Sequence, residues 1–217
     1  MEYYGRFILL ILSLTSASVY SIVGRVDIIL FTIFTFIHAG FSWFIGGWYD
    51  KFRYLSYHDP LTGVYNRRYT YIYFEKQLKR AKRKNERIGI LNIDIDNFKM
   101  INDSYGHHYG DFILQQLCKS ITKNIRKEHI LVRWGGDEFI VLLNNMDCTS
   151  AQNLINQMNE SIRAELNHCQ ESNKSGVTLS IGHATYPEDG QNISELLLIS
   201  DKRMYQIKSN TEEVSPS

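Results

Sequence analysis

Four carboxylates in two short stretches, LNIDIDNF at 91–98 and RWGGDEF at 133–139, are the residues of this chain best suited to chemistry. Asp94 and Asp96 close an isoleucine-rich run. Asp137 and Glu138 follow two glycines between the apolar runs ILV and IVLL. Side chains alternate across a strand, so Asp137 and Glu138 point to opposite faces, and one is drawn toward the core side, where an uncompensated carboxylate is costly. A cation must answer it. If the strand ending in Asp94 neighbours the hairpin, Asp94 and Asp137 converge on one point. Two hard carboxylates at strand ends, with a backbone carbonyl between them, suit Mg²⁺, which is usually held by one or two carboxylates plus substrate phosphates. Gly135 and Gly136 supply the positive φ values that a tight hairpin prefers, and they let a nucleotide approach the backbone closely.

Those acids need a frame. RIGILNIDI at 87–95 reads as a buried strand, HILVRW and EFIVLL as two strands joined by Gly-Gly-Asp, and VTLSIGHATY at 177–186 as another. Apolar residues at helical spacing predict helices over Tyr69 to about Lys84, over DFILQQLCKSITKNI from 111, over SAQNLINQMNESIRAELNHC from 150, and over ISELLLISDKRMYQIK at 193–208. Strands and helices alternate but include one hairpin. The predicted fold is therefore α/β, with a mixed central sheet flanked by helices.

Composition breaks near position 50. Phe7–Gly24 and Ile28–Tyr49 carry no charge, and each is near the roughly 20 residues a spanning helix needs. Only Arg25, Val26 and Asp27 separate them, which predicts a transmembrane helical hairpin, about 7–24 and 28–49, with both ends on one side. Trp43, Trp48 and Tyr49 at the exit end, with Lys51, Arg53, Arg67 and Arg68 beyond, place the following residues in the cytoplasm and the chain in the inner (cytoplasmic) membrane as a multi-pass protein. A signal-peptide core is the other reading of the first run, although no A-x-A site follows. His38 reads as a neutral imidazole facing the neighbouring helix. Ser16, Ala17 and Ser18, or Gly46 and Gly47, offer room for close helix contact. Residues 1–50 are thus a membrane region, 51–58 a linker, 59–208 the α/β domain and 209–217 a flexible tail. The formal charge of +1 gives no global pull toward nucleic acid. Cys118, Cys148 and Cys169 lack ligand spacing, so neither a disulfide framework nor a zinc site is predicted.

GGDEF itself, DPLTGVYNRR at 59–68, DIDNFKMINDSYGHHYGD at 94–111 and SIGHATYPEDG at 180–190 occur in the order seen in the GGDEF, or diguanylate cyclase, family. The chain resembles that family over about residues 55–208. The resemblance implies a palm-like α/β domain related to nucleotidyl cyclases. It implies condensation of two GTP into cyclic di-GMP with release of pyrophosphate, by a homodimer in which each subunit presents one GTP to the other. It further implies that Asp94, the main-chain carbonyl of Ile95 and Asp137 hold Mg²⁺ or Mn²⁺, with Glu138 assisting, and that Asp137 accepts the ribose 3′-OH proton. By the same resemblance Lys99 stabilises charge on the phosphoryl oxygens, Asn102 and Asp111 read guanine, His107 lies beside the substrate, and Gly135, Gly136 and Lys208 contact it. An ionised Asp111 suits guanine, whose N1–H and N2 amine are donors. The downstream cyclic di-GMP effector stays unnamed.

Two stretches depart from the family pattern. Its inhibitory product site uses RxxD, whereas this chain has Arg126, Lys127, Glu128 and His129. Its C-terminal K-x-x-G-R-N is here Lys208 followed by SNTEE, with Glu212 where the arginine would fall, an acid that would repel a triphosphate. These departures imply an alternative, a membrane-tethered domain that binds GTP, or nothing, without turnover. Asp96, Asn97 and Asp103 read as caps or turn formers, and the block around Asp59, Asn66, Arg67 and Arg68 as structural. The basic run LKRAKRKNER reads as a solvated helix face, with contact to anionic lipid headgroups as the alternative.

Overall fold

The computed structural model describes residues 3–23, 28–146, 148–168 and 177–213, with the backbone alone for a few residues inside helices. It divides into two compact units, Met1–Tyr57 and His58–Ser217.

The first unit is a pair of helices, α1 (Tyr4–Val23) and α2 (Ile28–Tyr57). The predicted connection Arg25–Asp27 lies outside the described residues. α2 continues well past position 49 and absorbs most of the predicted linker. The helices run antiparallel, since Gly5 meets Asp50 while Ser13 meets His38. Asp50 accepts the N–H of Gly5 at 2.7 Å and of Arg6 at 3.3 Å, groups that have no partner within the first turn of a helix. Ser13 Oγ lies 2.6 Å from His38 Nδ1, so the imidazole does face its neighbour. Gly46 permits the close crossing: a Cβ there would lie 2.5 Å from Arg6 Cα. Ser18 is exposed and its hydroxyl donates within its own helix, to Leu14 O; the side chains of Ser16 and Ala17 lie outside the described set. Large apolar side chains, among them Phe7, Leu12, Leu30, Phe36 and Phe44, face outward. Among the described residues one helix, Ile29–Tyr57, is long and apolar enough to cross a membrane, and Tyr4–Thr15 is a shorter apolar stretch.

The second unit runs β1 (Tyr65–Asn66), α3 (Arg67–Lys84), β2 (Ile88–Ile95), α4 (Phe98–Tyr105), α5 (His107–Asn124), β3 (Ile130–Gly135), β4 (Glu138–Asn144), α6 (Cys148–His168), β5 (Leu179–Tyr186) and α7 (Ile193–Glu213). The strands form one sheet in the order β1-β3-β4-β2-β5. β1 lies parallel to β3 and the other pairs are antiparallel, so the sheet is mixed, as the pattern predicts. The two-residue β1 and the short α4 escape sequence reading because neither completes a hydrophobic period. α5 starts at His107, four residues before the apolar spacing begins, and α7 runs through positions 209–213, where a flexible tail is predicted. α3 starts where Asn66 Oδ1 accepts the Tyr69 N–H at 3.2 Å and stops at Asn85 in the left-handed conformation.

Strand alternation sorts the core into two layers. Leu91, Ile93 and Ile95 pack with Leu131, Phe139, Val141 and Leu143 under α5 and α6. Ile88 and Ile90 pack with Val132, Ile140 and Leu142 under α3 and α7. Asn92 and Asp94 continue the second set toward α7, where they meet Asp201 and Lys208.

Candidate active site

The central pair of strands brings the two acidic stretches together. β2 and β4 are antiparallel, with Asp94 directly opposite Glu138 and Asp137 one residue earlier in the turn. Asp94 is 8% exposed. Its Oδ1 accepts a hydrogen bond from Lys208 Nζ at 2.6 Å, across 114 positions of sequence. Asn92 Nδ2 donates to Asp201 Oδ1 at 3.3 Å on the same helix, α7. Ile95 ends β2 with its side chain fully buried, so only its main chain is available to a ligand. Asp96 caps no helix. Its Oδ1 accepts from Ser180 Oγ at 2.6 Å and ties β2 to β5, while Asn97 takes the cap position of α4 in the left-handed conformation.

The hairpin turn needs a positive φ at one position rather than two. Gly136 has φ +48, whereas Gly135 is an extended strand residue opposite Glu138, beside a register shift at Arg133/Gly135 that the bulge absorbs. Arg133 braces this turn: Nε and Nη2 donate to Gly136 O at 3.0 and 2.8 Å, and Nη1 donates to Asp59 Oδ1 at 3.0 Å. Asp59 also accepts from Thr62 N–H and Oγ1. Burial would raise the Asp59 carboxyl, but the Thr62 and Arg133 hydrogen bonds outweigh it and hold it below the usual range. Sequence reading assigned the Asp59 block a structural place and gave Arg133 none. The only signal was an arginine alternating out of an apolar strand, which does not name its partner.

A second group forms where α4 and α5 cross. Gly110 makes the crossing possible, because a Cβ there would lie 1.9 Å from Asn102 Oδ1. The Asn102 side chain therefore lies against the backbone position next to Asp111. His107 is exposed at the first residue of α5, and Lys99 is exposed on α4 with no acid in ion-pair range among the described residues.

Electrostatically the acid group is short of positive charge. Burial, with the charges of Asp137 and Asp96 adding to it, raises the Asp94 carboxyl despite Lys208. Glu138 is raised by burial, then by Asp94, Asp137 and Asp201. Burial would lower the Lys208 ammonium, yet the hydrogen bond and charge of Asp94, with Asp96 and Asp137 behind it, leave it raised. One ammonium serves several carboxylates. Hard oxygens in excess, already touching one cation, fit a divalent metal. Among the described residues no three acid, histidine or cysteine side chains form a ready cage. Asp94, Asp137 and the Ile95 carbonyl would thus need substrate phosphates to complete a shell, which is how Mg²⁺ is commonly held.

His129, which the sequence resemblance sets against the family's RxxD aspartate, is buried to 5% exposure. Its Nδ1 accepts the Asn144 N–H at 3.2 Å, its Nε2 has no partner, and burial lowers its pKa. Cys118 is a free, buried thiol pushed up to about 12 by burial. Cys148 and Glu212 have undescribed side chains, and Cys169 lies outside the described residues.

Comparison with known proteins agrees with this arrangement. Residues 56–213 match the family described as diguanylate cyclase, GGDEF domain. The bifunctional diguanylate cyclase/cyclic di-GMP phosphodiesterase MucR of Pseudomonas aeruginosa is 34% identical over 158 residues, covering 71% of this chain and 22% of MucR. Diguanylate cyclase A of Treponema denticola is 38% identical over 127 residues, covering 58% of this chain and 34% of that protein. The chain therefore spans well under half the length of these relatives. Among solved structures, a form of TpbB (YfiN) from P. aeruginosa comprising only the GGDEF domain superposes with a TM-score of 0.64 at 31% identity, covering 70% of this chain and 89% of that one. The active GGEEF domain of a Vibrio cholerae diguanylate cyclase gives 0.61 at 32% identity, covering 67% and 91%. The chain belongs to the GGDEF family of diguanylate cyclase enzymes.

Proposed function

We propose that this protein condenses two GTP into cyclic di-GMP as a metal-dependent homodimer held at a membrane by α1 and α2. The observation that carries the reading is the pairing of Asp94 with Glu138 beside the Gly136–Asp137 turn, with Lys208 reaching in from α7. Asp94, the Ile95 carbonyl and Asp137 would hold Mg²⁺ or Mn²⁺, with Glu138 assisting. When bound, such an ion lowers the pKa of the 3′-hydroxyl and offsets phosphate charge.

Asp137 takes the 3′-OH proton. The freed oxygen of one GTP forms a bond to the α-phosphorus of the partner subunit's GTP, and the bond from that phosphorus to the β-phosphate bridge breaks, releasing pyrophosphate. A second such step closes the ring. Lys99 and Lys208 stabilise the phosphoryl oxygens, the open space at Gly135 and Gly136 admits the nucleotide to the backbone, and Asn102 and Asp111 read guanine beside His107.

The finer membrane reading is a hairpin crossing twice, leaving the domain on the cytoplasmic side. Its support is the outward apolar surface of both helices and the polar pairs kept between them. The catalytic test is direct: the purified chain with GTP and Mg²⁺ yields cyclic di-GMP on chromatography, and Asp137→Ala abolishes it with melting unchanged. GTP binding without product, in a chain verified as a dimer, would replace turnover with a receptor role, a reading that the acid at position 212 favours.

A further inference from the structure

The charge of this chain is segregated. α3 carries eight lysines and arginines against one acid, Glu75, in a chain whose formal total is +1, so all other residues together hold an excess of six acids. The buried face of α3 is Thr70, Phe74, Leu78 and Ala81. Helical geometry of 3.6 residues per turn puts Ile72, Lys76, Lys79 and Arg83 diametrically opposite, with Lys82 on the flank. All five are exposed, Ile72 to 50%.

Neighbouring cations are answered by acids: Arg80 by Glu86 at 3.1 Å, Lys84 by Glu86 at 3.8 Å and Arg87 by Glu188 at 2.6 Å. Lys76, Lys79, Lys82 and Arg83 have no acidic partner among the described residues. They are also remote from the acid group. Arg67, at the other end of α3, stacks on Trp134 at 4.4 Å beside the hairpin, and Lys76–Lys84 lie roughly 14–26 Å further along the axis at the helical rise. This stripe is therefore no part of the triphosphate site.

We propose that the outer face of α3 is a docking surface for anionic lipid headgroups, laying the GGDEF domain on the membrane. Three observations select that partner. The cations form one stripe rather than a concave pocket, and a flat charged surface matches a stripe. Ile72 stands exposed within it, with Tyr71 beside it at 39%, able to enter the headgroup region while the ammonium groups stay in water. Only nine residues, 58–66, separate the end of α2 from the start of α3, a short tether to whatever holds the apolar helices. The inference extends the membrane reading above, and its test is independent of that reading.

The unit His58–Ser217 contains both hydrophobic clusters in full, and a relative has been solved as its GGDEF domain alone, so this unit serves as the probe. It is sedimented with vesicles of phosphatidylcholine, and with vesicles that also contain phosphatidylglycerol. Binding is expected only to the second, falling steeply with salt. Lys79→Gln is expected to lower the partition coefficient about fivefold. The fourfold variant Lys76→Glu, Lys79→Glu, Lys82→Glu, Arg83→Glu is expected to lose binding while keeping its melting temperature and GTP affinity. Equal binding to both vesicle types, no binding to anionic vesicles at low salt, retention by the fourfold variant, or tighter binding to duplex DNA than to anionic vesicles would each overturn the proposal. Fractionation of the full chain separates the two readings. A full chain found soluble removes the span and leaves the vesicle result standing. A membrane-bound full chain whose isolated unit ignores anionic vesicles removes this proposal alone.

Discussion

The two units of this chain use apolar residues in opposite directions. In the GGDEF unit Phe74, Ile93, Phe139 and Leu142 are fully enclosed between sheet and helices, and charge is left outside or paired at the site. In the helix pair Phe7, Phe36, Phe44 and Phe52 face outward, while Ser13, His38, Asp50 and the Gly5 backbone meet between the helices. An enclosed core takes its apolar area out of water, and the membrane anchoring proposed above would do the same for the outward surface of the helix pair. The polar groups then collect wherever they can bond to one another. The contrast teaches that the second unit packs its large apolar side chains inward, whereas the helix pair meets through small residues, such as Gly46, and a few close polar contacts.

That contrast can be broken by substitution. The largest effect is expected from Phe74→Ala, which opens a cavity in an enclosed layer and costs about 3–5 kcal/mol on chemical denaturation of the His58–Ser217 unit. Phe44→Ala, an outward side chain of the same type, should change the melting of the detergent-solubilised chain by less than about 0.5 kcal/mol. A cost for Phe44→Ala close to that for Phe74→Ala would refute the distinction. Arg133→Met comes next: it leaves the Asp59 charge with only its Thr62 hydrogen bonds and frees Gly136 O, so about 2 kcal/mol of stability and more than tenfold of turnover are expected to go. Turnover that survives with stability lost would show that the brace does not position Asp137.

Smaller effects sharpen the comparison. Ser13→Ala removes the hydroxyl facing His38 and is expected to cost about 0.6 kcal/mol, read from unfolding in detergent micelles. A pH response is expected in the second unit. Hydrogen bonds from Arg203 at 2.7 and 2.9 Å, followed by burial opposing them and the Thr185 N–H supporting them, hold Asp189 below the usual carboxylate range. Its folded-state pKa is depressed, so its stabilisation is present above the unfolded value near 3.8 and fades as pH falls through the folded value. Arg203→Met should therefore flatten the acid limb of a melting-temperature profile; an unchanged limb would exclude this pair as a source of acid sensitivity.

Much of the fold was legible because its signals are local. Isoleucine alternation marked β2, the apolar runs around Gly-Gly-Asp marked β3 and β4, and helical spacing marked α3, α6 and α7. The expectation of two positive-φ glycines missed the bulge at Arg133/Gly135, since a register shift depends on the partner strand. α4 was missed because eight residues carry too few apolar repeats to show a period. His129 read as a departure from the family's product site, yet its burial and its bond from the Asn144 N–H depend on β4, which nothing near His129 in sequence announces.

The sequence by itself determined the acids, their places at strand ends and the apolar character of the first fifty residues, because residue type and spacing set charge, periodicity and hydropathy without reference to distant chain. Only the tertiary structure decided that Lys208 answers Asp94, that Arg133 joins Asp59 to the Gly136 carbonyl, and that four cations of α3 have no acidic partner among the described residues. Those contacts join residues up to 114 positions apart, or depend on which acids fail to arrive, and the packing of helices on the sheet settles both.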